Sequence, residues 1–101
     1  MLLIREVLCC KPGKVRPMVD KFLAMSKISM GGGKMRVLTD FVAERYWTVV
    51  AEFEVSSLQQ FEDMLQGKGM SEKDGKEMEK LMQGYHDLVD FGRREIYKIE
   101  G

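Results

Sequence analysis

Three residues of this sequence could meet a substrate together: His86, Tyr85 and Trp47. His86 is the only histidine. An imidazole titrates near neutral pH, so it suits a general base or a group that orients a ligand. It lies just beside the apolar stripe Met82, Tyr85 and Val89, where the ordinary reading is a boundary residue half in solvent. Trp47 and Tyr85 would stand on the sheet side and the helix side of one cavity, an aromatic wall and a phenol suited to a flat organic substrate. The competing reading is that both fill the core, because aromatics at strand and helix spacing are first of all packing residues. Trp47, Tyr85 and His86 are thus the candidate ligand-binding residues, and His86 is the candidate catalytic group.

The other chemically capable residues form no recognisable set. Cys9 and Cys10 are the only cysteines. Neighbours in a strand point to opposite faces, so the two are badly placed to bridge each other. One histidine with two thiols does not complete a four-ligand metal site, and neither a metal nor a cofactor is expected. Gly31-Gly32-Gly33-Lys34 lacks a following serine or threonine and precedes a strand rather than opening a helix, so it reads as a connection and not as a phosphate loop. Arg36, Arg93 and Arg94 read as cross-strand partners of glutamates. Nine methionines put adaptable thioethers along the helices, as core filler or as pocket lining.

The elements that would position these residues are organised around Arg45 to Ser57. With a repeat of two, Trp47, Val49, Ala51, Phe53 and Val55 share one face, and Tyr46, Thr48, Val50, Glu52 and Glu54 share the other. Residues 2 to 10 read as a first strand, with either face inward. Lys11-Pro12-Gly13-Lys14 turns the chain, and Val15, Met18, Val19, Phe22 and Met25 mark a helix to about Ser29. Lys34 to Val42 alternates as a second strand and joins the central one through a turn at Ala43, Glu44 and Arg45. Capping signals at Ser56 with Gln59 and Ser57 with Gln60 open a short helix. Ser71 opens a longer one, marked by Met78, Leu81, Met82, Tyr85, Leu88 and Val89 up to about Phe91. Gly84 inside it costs about 1 kcal/mol relative to alanine. Gly92 ends it, and Arg93 to Glu100 forms a last strand.

The 101 residues make one domain, 1–101, and the balance of 16 basic against 16 acidic residues leaves no overall field for nucleic acid. Met1-Leu2-Leu3-Ile4 is broken by Arg5 and Glu6, too short for a signal peptide or a membrane span, so a cytoplasmic protein without a membrane partner is expected.

Strand, helix, strand, strand, helix, strand is the α+β order of the ferredoxin-like fold, with both helices on one face of a four-stranded antiparallel sheet. The other face is left open and partly apolar, and a second copy of the same sheet is its simplest cover, giving a homodimer through the sheet faces. Ile4-Arg5-Glu6-Val7 followed by Lys11-Pro12-Gly13-Lys14 resembles the Leu-Arg-Glu-Tyr and Lys-Pro-Gly-Lys opening of NIPSNAP-like members of the dimeric α+β barrel group. Trp47-Thr48-Val49-Val50-Ala51-Glu52-Phe53 and the helix start Ser57-Leu58 with Phe61 are similar to that group too, which also includes antibiotic-biosynthesis-type monooxygenases. The resemblance implies a dimer with a small-molecule cavity between sheet and helices. Three functions compete: a module that binds a small apolar or aromatic molecule, or a protein partner, without turnover; a cofactor-independent monooxygenase or isomerase acting on a flat aromatic or quinone-like substrate; and, from fold analogy alone, haem binding. The first fits best, because no catalytic set stands out.

Overall fold

The computed structural model describes residues 1–29 and 35–101, so the reading of Gly31 to Gly33 as a connection lies outside the described residues. Strand β1 (Leu2–Cys10) leads to helix α1 (Val15–Ser29), then to strands β2 (Arg36–Thr39) and β3 (Thr48–Val55). Helices α2 (Leu58–Leu65) and α3 (Glu72–Met82) follow, then one 3₁₀ turn (Tyr85–Asp87) and strand β4 (Val89–Lys98). The sheet order is β2-β3-β1-β4 and every pairing is antiparallel. This is the expected ferredoxin-like arrangement, with the second crossover made by two helices.

Alternation divides the sheet into two unlike faces. Ile4, Leu8 and Cys10 of β1 and Val49, Ala51, Phe53 and Val55 of β3 face the helices, where Met18, Val19 and Phe22 of α1 and Phe61 of α2 meet them. Ile4, Met18, Val49 and Val55 are fully buried, so side chains fill the middle of the layer where the resemblance implies a cavity. Phe53 and Phe61 meet with ring centroids 6.0 Å apart, and the Arg94 guanidinium lies over Phe61 at 5.0 Å while pairing with Glu6. Ser57 caps α2 by accepting from the Gln60 N–H at 3.1 Å, and the Gln60 side chain reaches back to the Ser56 N–H at 2.6 Å. The reciprocal cap is therefore shared between two serines.

Three boundaries differ from the sequence reading. Strand β2 ends at Thr39 because the Asp40 carboxylate accepts the Thr48 N–H at 2.8 Å while the Asp40 N–H donates to the Thr48 carbonyl at 3.2 Å. That closure makes 41–47 a loop rather than a three-residue turn between longer strands. Helix α3 ends at Met82, not near Phe91, because Gly84 adopts φ 79° and Lys21 of α1 donates to the carbonyls of Leu81 at 2.6 Å and Gln83 at 3.0 Å. A cation on the last carbonyls followed by a left-handed glycine is a stop signal that the apolar spacing of Tyr85, Leu88 and Val89 concealed. Gly84 is thus a terminator rather than a mid-helix residue.

Gly92, expected to stop that helix, instead lies inside β4 opposite Leu8. A Cβ there would come within 2.5 Å of Leu8 Cδ2 and 3.1 Å of the Val7 carbonyl oxygen. The leucine end can swing away; the backbone oxygen cannot. Gly92→Ala is expected to lower stability by about 1–3 kcal/mol, the usual penalty of overpacking. A urea titration checks this, as a lower midpoint with unchanged slope.

Candidate functional site

The face turned away from the helices carries the most organised chemistry in the described residues. Strand register sets Arg36 of β2, Glu52 of β3, Arg5 of β1 and Glu95 of β4 in one row straight across the sheet. Their charges alternate, and each neighbour is paired: Arg36 and Arg5 both donate to Glu52, the latter at 2.8 Å, and Arg5 also donates to Glu95 at 2.9 Å. Arg93 closes the end of the row on Glu95 at 2.9 Å. Glu52 is only 7% exposed and is the buried charged residue of the described chain. A buried carboxylate persists only if paired and hydrogen-bonded, and two guanidinium groups meet that need.

Rows of mixed character flank this ladder, one ending in Arg93 and the other carrying Glu54. Leu38, Val50 and Val7 lie side by side on the same face, and Leu3 and Tyr97 lie on the other side of the row. Leu38 and Tyr97 are 40% and 48% exposed. At the loop end, Ala43, Glu44 and Arg45 lean over the face, and the Arg45 guanidinium sits 5.0 Å from the Phe91 ring centroid. Beneath them is a recess of about 140 Å³ whose lining includes Val7, Cys9 and Val50 as well as Arg5, Arg45 and Arg93.

A second, wider depression of about 380 Å³ lies at the outer side of the loop, lined by Val15, Thr39, Asp40, Tyr46 and Trp47. Trp47 is not on the core face of β3 as its place in the alternation predicts. It precedes the strand with φ 61°, a left-handed conformation costly for a bulky residue, and it is 42% exposed. The turn aims its carbonyl at β1, where it accepts from the Cys10 N–H at 2.8 Å. Tyr85 packs half-buried against the core, and His86 is exposed with its ring stacked on Tyr85 at 4.0 Å between centroids. Tyr85 and His86 therefore come together, while Trp47 lines a depression whose other walls are Val15, Thr39, Asp40 and Tyr46.

The ladder was half legible: Arg36 and Arg94 pair across strands with Glu52 and Glu6 as expected, Arg93 instead pairs with Glu95 of its own strand, and the places of Arg5 and Glu52 emerge only once the register is known. The signal for them was a charge at an alternate position in each of the two strands with the most apolar inward faces. Among the described residues no group of His, Cys, Asp and Glu is arranged to hold a metal ion. Both thiols are buried and unbridged, and burial, with the neighbouring Cys9 and Asp90, pushes the Cys10 thiol up from its ordinary value. A protonated, buried thiol is a poor nucleophile.

This geometry defines a class: an α+β protein of the ferredoxin-like fold. Among solved structures, an uncharacterised NIPSNAP domain protein from Burkholderia xenovorans superposes with a TM-score of 0.77 over 99% of this chain and 95% of that one, at 10% identity. A NIPSNAP family protein from Agrobacterium tumefaciens gives 0.72 over 98% and 85% at 10% identity. An antibiotic biosynthesis monooxygenase-like protein from Chloroflexus aurantiacus gives 0.70 over 99% and 94% at 11%. Identities this low make these likenesses of fold. No family model matches the sequence, and no curated protein matches it by sequence. No helix among the described residues is long and apolar enough to cross a membrane.

The ladder has a pH signature. The hydrogen bond from Arg93, with the charges of Arg93 and Arg5 and a hydrogen bond from Tyr97, holds the Glu95 carboxyl below its ordinary value of 4.5. A carboxyl depressed in the folded state stabilises the fold fully above its unfolded value and loses that contribution as pH falls through the folded one. Stability is expected to be level above about pH 4.5 in this respect and to decline below it. Chemical denaturation across pH 3 to 7 checks this, with a shallower acid decline in Glu95→Gln.

Proposed function

We propose that the chain is a homodimeric module that binds a small molecule without turning it over, its two sheets packed face to face. The observation that carries this reading is the alternating ladder Arg36, Glu52, Arg5, Glu95. A row of four alternating charges is antisymmetric about its midpoint. A two-fold axis parallel to the strands, passing between β3 and β1, therefore sets Arg36 opposite the partner's Glu95 and Glu52 opposite the partner's Arg5. The same axis sets Val50 and the partner's Val7 on opposite walls of one apolar space beside that charge-matched row. Such self-complementarity is what an isologous interface requires. Four strands about 4.8 Å apart and some eight residues long offer roughly 500 Å² per copy, or about 1,000 Å² in total, near the lower bound for a specific interface. The neighbours of like fold include NIPSNAP domain proteins, which supports the reading without fixing a ligand.

Two unbridged cysteines fit a reducing cytoplasm. The catalytic alternative, oxygenation or isomerisation of a flat aromatic substrate, has one observation in its favour: Trp47, Tyr46 and Asp40 line a depression of about 380 Å³. The stacked, exposed His86 and the filled core layer weigh toward binding without turnover.

Sedimentation of the purified chain at micromolar concentration should report twice the chain mass. Leu3→Glu, which brings a carboxylate against the partner's Glu54, should sediment as a monomer with an unchanged circular dichroism spectrum. A monomeric parent protein would remove the assembly. Dioxygen uptake above background with a quinol panel, lost in Trp47→Ala, would favour the catalytic alternative.

A further inference from the structure

We infer that the arginine-lined recess on the open sheet face is a binding site for a small organic carboxylate, completed by the same recess of a second copy. The recess of about 140 Å³ has an apolar floor of Val7, Cys9 and Val50, and the guanidinium groups of Arg5, Arg45 and Arg93 stand around it. Val7 and Cys9 are buried, so the floor is dry on one side already. An apolar floor under converging guanidinium groups suits a ligand with a short apolar body and a charged carboxylate end.

The charges around the recess are unevenly paired. Arg5 is held by Glu52 and Glu95, and Arg93 by Glu95. Glu44, which also lines the recess, is in no ion pair among the described residues. Arg45 has no carboxylate within ion-pair distance among the described residues and rests on the Phe91 ring instead. The lining arginines Arg5, Arg45 and Arg93 stand against the carboxylates of Glu44, Glu52 and Glu95, so the formal charges balance, but Arg45 is the guanidinium that no carboxylate holds.

The second copy matters because a two-fold parallel to the strands keeps both recesses at the same end of the assembly, facing each other across the axis. This step rests on the dimer proposed above. Closing the faces would bring the two Arg45 guanidinium groups, neither held by a carboxylate, to one chamber. Water would then screen them less, and an anion would be the favourable counter-charge. Each copy supplies the outer wall of its partner's site, and the loops carrying Arg45 would form the rim.

The test is calorimetric titration of the full chain with sodium benzoate and, at matched ionic strength, with the neutral isostere benzamide, alongside sedimentation of the same samples. The dimer should bind benzoate at least tenfold more tightly than benzamide. Arg45→Gln should weaken benzoate about tenfold and leave benzamide and the dimer unchanged, while Arg16→Gln on the exposed side of α1 should change nothing. The monomeric variant Leu3→Glu, altered one row from Arg5 and two from Val7, should lose benzoate binding. Equal affinity for the two ligands, or no effect of Arg45→Gln, in a protein that still sediments as a dimer overturns the carboxylate site and leaves the dimer standing. Benzoate bound as tightly by monomeric Leu3→Glu as by the parent protein overturns the shared chamber. A monomeric parent protein overturns the dimer reading on its own evidence.

Discussion

Glu52 is the constraint on which the sheet depends. A carboxylate 7% exposed in the middle of a four-stranded sheet would be costly alone, and it is tolerated because Arg36 reaches it from one side and Arg5 from the other. Arg5 is then fixed in turn by Glu95, so the pairing runs through all four strands. Slipping any strand by one residue would carry its charge through to the helix face and its apolar side chains out to solvent. The ladder thus specifies register from one face while Ile4, Val49, Ala51 and Val55 specify it from the other.

The helix face and the open face do different work. On the first, Met18, Phe22 and Phe61 close over the sheet, and the layer is filled by side chains rather than held open. The open face is neither a core nor an ordinary wet surface: a fully charged row lies between rows in which apolar side chains outnumber charged ones. That pattern is well suited to meeting a copy of itself, because apolar side chains supply burial while the charged row forbids misalignment. It also moves the interesting cavity. The resemblance implied a cavity between sheet and helices, yet the recess with converging charge lies on the opposite side.

The loop 41–47 links these two features. Asp40 closes its neck, Trp47 enters β3 through a left-handed backbone conformation, and Arg45 is thereby brought over the open face. Phe41, Val42 and Tyr46 remain almost wholly exposed on it. A strained residue at the base of an apolar loop is where a scaffold that many proteins share acquires its own character, since a common fold carries no function by itself.

Much of this molecule followed from sequence. Alternation in β1 and β3, the caps at Ser57 and Ser71 and the order of elements are local properties, set by side-chain period and by hydrogen bonds within a few residues, so the ferredoxin-like fold could be read directly. Even the cross-strand pairing of Arg36 and Arg94 with glutamates was foreseeable from strand composition. What only the tertiary structure decided depends on residues distant in the chain. Lys21 capping the end of α3 freed Tyr85 and His86 from the helix, and Trp47 left the core because its carbonyl bonds to β1. The row joining Arg5, Glu52 and Glu95 spans separations of 47 and 90 residues. Nothing in a local period encodes such meetings. They exist because the sheet's strand order places β1 between β3 and β4, and that order is fixed only when the whole chain packs.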